Sequence, residues 1–156
     1  MDWLLVISII VSLVAILFFL GLVRSYMVQH GRTQKEFLKG TVPTPLPSGL
    51  YRGIFRGHAT GWKGKYFDAK KSAGINIFRR GGKLVRVYPF HTYVDRGLRD
   101  HVRVIKIDYN IRTNPFWLRL VLDEIVQVRK GKFLGKLQLR IIPHIPFTLL
   151  YFRLEK

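Results

Sequence analysis

Hydrophobic and polar residues follow two regimes along this chain. Residues 3–23 (WLLVISIIVSLVAILFFLGLV) form one apolar run in which only Ser8, Ser12 and Gly21 are not strongly apolar. From residue 50 onward, apolar and basic positions alternate with a period of two. The first regime predicts a helix about 30 Å long, matching the hydrocarbon thickness of a bilayer. The second predicts short β-strands with one face turned to a core and the other to water.

The strands can be placed from that alternation. In 50–59, Tyr51, Gly53, Phe55, Gly57 and Ala59 share a face opposite Arg52, Ile54, Arg56 and His58. Trp62, Gly64 and Tyr66 alternate with Lys63 and Lys65. Residues 76–78 run into Arg79-Arg80-Gly81-Gly82, a hairpin turn that leads to a strand over 84–93. Further strands are expected over 102–109, 123–128, 133–141 and 147–154, the last after a corner at Pro143 and Pro146. Asn114-Pro115 marks a turn, with a short helix over 115–122 because proline suits a first helical turn. About eight short strands joined in sequence suit an antiparallel meander, and closing it into a barrel removes the exposed edges. An open sandwich is the alternative. Gly53, Gly57, Gly64 and Gly135 fall on inward faces, as expected at bends in coiled strands.

Residues 24–39 are polar enough for a short helix, which Gly31 weakens, and 40–49 (GTVPTPLPSG) carry three prolines at alternate positions, a stiff extended linker. The expected organisation is a transmembrane anchor over 1–26, a juxtamembrane segment and Pro-rich linker over 27–48, and a β-barrel domain over 49–156.

Charge changes this picture in two ways. The 156-residue chain holds 27 Lys+Arg against 9 Asp+Glu, and Asp2 is the sole charge before residue 24, so residues 24–156 carry a net +19. Arg24, Arg32, Lys35 and Lys39 follow the apolar run, while only Asp2 precedes it. The positive-inside rule therefore puts the N-terminus outside and the barrel in the cytoplasm, at the inner membrane of the cell. A secretory signal is the rival reading, but the acidic start, the long apolar core and the missing A-x-A-like site speak against it. The absence of cysteine excludes a disulfide framework and thiolate chemistry.

Several motifs together resemble those of an uncharacterised bacterial family of small, membrane-anchored β-barrel proteins. They are Gly49-Leu50-Tyr51-Arg52-Gly53, Gly61-Trp62-Lys63-Gly64-Lys65-Tyr66-Phe67, Ile107-Asp108-Tyr109-Asn110, Asp123-Glu124-Ile125-Val126 and Phe133-Leu134-Gly135-Lys136. The Gly-Trp-Lys-Gly element is also similar to the G-x-W signature of lipocalin-like domains. The resemblance implies a lipocalin-like barrel with room for an apolar ligand; it implies no catalytic residues and no cofactor.

The candidate chemistry follows from these faces. Tyr51, Phe55, Trp62 and Tyr66 are expected to line the interior and contact an apolar or amphiphilic ligand. Arg52, Arg56, Lys63, Lys65, Lys136 and Arg140 are expected on the exterior, facing anionic lipid headgroups. Arg119 is expected to pair with Asp123 or Asp108, a structural ion pair pinning the Asn114-Pro115 connection. Phe116, Trp117 and Leu120, if exposed, would dip into the bilayer interface. The five histidines form no ligand set, so no metal is expected, and no P-loop, nucleophile elbow or dinucleotide fingerprint is present. Membrane lipids are thus the expected partner. The alternatives are an accessory subunit of a membrane protein complex, an enzyme acting on a lipid in the barrel, and a nucleic-acid-binding module, which the inward aromatics disfavour.

Overall fold

In the computed structural model the structure describes residues 2–55, 61–142 and 144–156. Two helices precede eight strands: α1 (Trp3–Gln29), α2 (Arg32–Leu38), β1 (Gly49–Ile54), β2 (Trp62–Asp68), β3 (Ala73–Arg80), β4 (Lys83–Arg96), β5 (Arg103–Asp108), β6 (Val121–Arg129), β7 (Lys132–Ile142) and β8 (Ile145–Glu155). The helical content expected over 115–122 is one 3₁₀ turn, Leu118–Leu120. The strands pair antiparallel in chain order, and β1 pairs with β8, closing a barrel. α1 is long and apolar enough to cross a membrane, and its 27 residues expose most of their side chains.

An up-and-down barrel has two ends, and the chain treats them differently. At the end holding the β2–β3, β4–β5 and β6–β7 turns, Tyr51, Phe67, Phe90, Ile105, Phe133 and Leu154 fill the lumen and are buried. Edge-to-face ring contacts at 5.4–5.6 Å join Tyr51 to Phe133 and to Phe67. The opposite end holds the β3–β4 and β7–β8 turns and residues 109–120, and there the lumen stays open.

One bulge sets the phase of β2. Trp62 pairs with Phe78 and Gly64 with Ile77, so Lys63 is an extra residue in the ladder. Gly64 has φ +138°, and a Cβ there would lie 2.0 Å from the Tyr51 carbonyl oxygen, so only glycine fits. The extra residue moves Lys65 and Phe67 onto the inward face and turns Tyr66 outward.

The segment before the barrel is bound to its outer wall. Between Leu137↔Leu150 and Gln138↔Thr148, Leu149 is unpaired, leaving backbone groups of β8 unpartnered within the ladder. Residues of α1 satisfy them: Thr148 N–H donates to Ser25 Oγ at 3.0 Å, and Arg24 Nε donates to the Leu149 carbonyl at 3.0 Å. Phe18 meets Phe147 edge-to-face at 5.6 Å, and Val28 lies with Leu150 and Tyr151 around a shallow cleft. Further along, Tyr151 hydroxyl contacts Gln34, Arg153 forks onto Glu36 at 2.6 and 2.9 Å, and Thr41 bridges to Gln127. Phe37 is fully buried in a second core with Val104, Val126 and Leu134 on the outside of the sheet. The chain thus descends beside β8 from the open end to the filled end. Residues 3–17 therefore project beyond the open end.

Candidate functional site

The open half of the barrel is a cavity of about 360 Å³. Its walls are almost wholly apolar: Phe55, Trp62, Phe78, Tyr88, Leu137 and Phe152 contribute, with Trp117 and Leu118 at the mouth. Tyr88 is placed by a second bulge. Ile75 pairs with Pro89 and Asn76 with Val87, so Tyr88 is the extra residue, and its φ of +60° is a strained value for an aromatic side chain. Its carbonyl accepts from Asn76 Nδ2 at 3.1 Å and its hydroxyl from Arg80 at 3.1 Å, which offsets that strain.

Polar groups close the floor of the cavity. Lys65 Nζ lies 3.1 Å from Asp123 Oδ2, and both side chains are 3% exposed. It also donates to Asn76 Oδ1 at 2.9 Å and to the Tyr109 hydroxyl. Four rings, those of Trp62, Phe90, Tyr109 and Phe152, surround it at 5.0–5.6 Å from their centroids. Trp62 Nε1 donates to Asn76 Oδ1 at 3.1 Å, and Tyr109 donates to Asp123 Oδ2 at 3.2 Å. Burial pushes the Lys65 amine below its ordinary pKa and the Asp123 carboxyl above its own, with their mutual attraction opposing both shifts. Burial likewise raises the Tyr109 hydroxyl well above 10. The Lys65 ammonium has three acceptors for its three hydrogens, which makes it a held cation rather than a free nucleophile. Asp123 Oδ1 alone is buried without a partner among the described residues.

The expected site residues divide on these facts. Phe55 and Trp62 line the cavity. Tyr51 faces inward but lies in the filled half, below the floor. Tyr66 sits on the outer face beneath Arg86, whose guanidinium is 5.2 Å from its ring, because the β2 bulge reversed its phase. The same bulge corrects Lys65, which is a floor residue and not a headgroup contact. Lys136 occupies the outer face as alternation requires, yet it is fully buried. The loop after β4 and α2 roof it, so it pairs with Asp100 and Glu124 and lies 4.4 Å from the Phe37 ring centroid. Arg52 and Lys63 are exposed, and Arg56 lies outside the described residues.

The ion pairs also differ from expectation. Arg140 forks onto Asp108 at 2.7 and 3.3 Å, Asp123 belongs to Lys65, and Arg119 Nε donates to Asn110 Oδ1 at 3.1 Å. Registry explains this: Asp123 faces the lumen opposite Leu137, out of reach of an exterior arginine. Asn76, Tyr109 and Tyr88 were not singled out beforehand. The available signal was a polar Asn76 between Ile75 and Ile77 in an apolar strand.

These features define a closed, eight-stranded antiparallel barrel, preceded by a long apolar helix, with a one-ended apolar cavity over a neutralised charged floor. No family model, no curated protein and no solved structure matches the chain.

Proposed function

We propose that this is a membrane-anchored, non-catalytic, lipocalin-like barrel that binds an amphiphile, most simply a lipid, in its one-ended cavity. The observation that carries this reading is the cavity itself: about 360 Å³ of apolar-walled space, in the size range of small-molecule sites, in a barrel narrow enough to be filled by side chains. Its floor is polar and its walls are not, which is the profile of a chain with a head.

α1 serves as a single-pass anchor, with the N-terminus outside and the barrel at the cytoplasmic face of the inner membrane. The contacts of Phe18, Arg24, Ser25 and Gln29 with β8 support retention of the helix, since removing it would strip partners from Thr148 and Leu149. They also support an orientation. Residues 3–17 project past the open end, so the mouth faces the bilayer from which a ligand would come. The rim suits that surface: Phe116, Trp117 and Ile141 are more than half exposed, and Arg79, Arg80, Lys83, Arg112 and Arg119 stand at its turns without a carboxylate partner among the described residues.

Native mass spectrometry of the full chain released from nanodiscs tests this reading. One retained amphiphile per chain is expected. A bare chain that instead carries a stoichiometric protein partner would favour the accessory-subunit reading.

A further inference from the structure

Resting on the cavity as an amphiphile site, we infer that its ligand enters tail first and carries an oxyanion head, a carboxylate or a phosphate monoester, held at the mouth by Arg80, Tyr88 and Trp117. The two ends of the cavity point to this together. The floor has nothing to give a head. Lys65 directs its three hydrogens to Asn76, Tyr109 and Asp123. Trp62 gives its indole hydrogen to Asn76, Asn76 gives its two to the Tyr88 carbonyl and the Tyr109 hydroxyl, and Tyr109 gives its one to Asp123. Asp123 Oδ1, which has no partner among the described residues, is sealed from the cavity. The space above meets instead the rings of Trp62, Tyr109 and Phe152 that enclose the Lys65 ammonium, a surface for the apolar end of a chain. An anion placed there would also stand beside Asp123, whose one cation is already paired.

At the mouth the inventory reverses. Tyr88 hydroxyl accepts from Arg80 at 3.1 Å, so its own hydrogen is left over, with no acceptor among the described residues. Accepting from a cation also polarises the phenol and makes that hydrogen a stronger donor. The Trp117 ring lies 6.4 Å from that of Tyr88, and its indole N–H likewise has no acceptor among the described residues. Arg80 is fixed beside them, its guanidinium 5.8 Å from the ring centroids of Phe78 and Tyr88, both of which line the cavity. It has no carboxylate partner among the described residues. Residues 79–83, 109–120 and 141–146 contain no Asp or Glu, and Asp108, next to them, is taken by Arg140 at 2.7 Å. A cation and two neutral donors therefore converge on a rim without a competing anion. A carboxylate or phosphate there accepts charge-assisted bonds, roughly twice as strong as the neutral ones an alcohol accepts. A quaternary ammonium head accepts none and is repelled by Arg80.

The test uses the full chain in nanodiscs of zwitterionic phospholipid at alkaline pH, which keeps the heads ionised. Dodecanoate, dodecyl phosphate, dodecanol and dodecyltrimethylammonium are added as bilayer mole fractions, and the emission of Trp62 and Trp117, which line the cavity, reports occupancy. At least one of the two anions is expected to bind at least about tenfold more tightly than dodecanol, about 1.4 kcal/mol, with the ammonium weakest. The tighter anion names the head. R80M and Y88F should each bring that anion down toward dodecanol and leave dodecanol unchanged. K83M, which removes a rim cation outside the set, should keep the preference, as should K65M/D123L, which alters only the floor. Equal binding of all four compounds by the wild type, or tighter binding of dodecanol, would overturn the inference while leaving the amphiphile site standing. So would equal losses in R80M and K83M, which would reduce the effect to general rim charge, or a preference lost in K65M/D123L, which would put the head at the floor. No binding of any compound would instead sink the amphiphile reading itself. The wild type, R80M and K83M decide if the double variant does not fold.

Discussion

Replacing Lys65 with methionine should be among the most damaging single changes in the barrel, and the reason is visible in the floor of the cavity. Lys65 and Asp123 are 3.1 Å apart with side chains 3% exposed. At an effective dielectric of about 20, two unit charges at that distance attract by about 5 kcal/mol. Removing Lys65 leaves Asp123 as a buried anion with one hydrogen bond, from Tyr109, and breaking a buried pair in this way costs about 3–5 kcal/mol. Asp123→Leu should cost a similar amount, because Lys65 would keep only Asn76 and Tyr109 as neutral acceptors. The double variant K65M/D123L removes both desolvated charges, and its loss should lie near zero and far below the sum of the two single losses. Thermal unfolding of the full chain in nanodiscs, followed by near-ultraviolet circular dichroism, reads the three values. At about 3–4 °C per kcal/mol for a chain of this size, each single variant should melt about 10–20 °C lower. Single losses below about 1 kcal/mol, or a double loss equal to their sum, would refute the pairing.

Gly64→Ala should cost more than about 3 kcal/mol, since it adds a Cβ 2.0 Å from a carbonyl oxygen at φ +138°; a melting temperature within 2 °C of wild type, by the roughly 3–4 °C per kcal/mol scale, would remove the β2 bulge from the account. Tyr109 and Tyr151 have hydroxyls raised above their ordinary value of 10, in both cases chiefly by burial. Groups with a raised folded pKa stabilise the barrel fully below 10 and lose that contribution as pH climbs toward their folded values. Stability should therefore fall with pH above 10, and absorbance at about 295 nm should show part of the tyrosine signal, that of Tyr109 and Tyr151, appearing at higher pH in the folded chain than in the unfolded one. In nanodiscs containing anionic lipid, brominated acyl chains should quench Trp117 in a W3F background. R79E/K83E should reduce that quenching, as each basic residue near such a surface contributes about 1 kcal/mol, and an unquenched Trp117 would place the mouth away from the bilayer.

Strand placement was legible because alternation is a local signal: Val102–Tyr109 and Phe133–Ile141 were bounded to within one residue of β5 and β7. The faces were legible only where the ladder is regular. An extra residue at Lys63 inverts everything after it in β2, which is why Lys65 was assigned to the exterior and Tyr66 to the interior. The glycine that makes the bulge possible was visible, but glycine alone does not say on which side the extra residue falls. Lys136 failed for a different reason. Its face followed from alternation, whereas the α2 roof depends on Phe37 meeting Val104, Val126 and Leu134, partners far apart in sequence. Likewise, Asp123 was legible as one half of a structural ion pair, but its partner comes from β2, 58 positions away, and neighbours such as Arg119 were the available candidates.

The central claim is that the open half of the barrel holds an apolar chain. Equilibrium titration of the full-length protein in nanodiscs with a fluorescent alkyl probe tests it, comparing wild type with V121W, in which a larger side chain occupies the cavity wall. Saturable binding of one probe per chain is expected, weakened at least about tenfold in V121W, which corresponds to about 1.4 kcal/mol. No saturable binding by the wild type, or equal binding by V121W with an unchanged melting temperature, would contradict the claim.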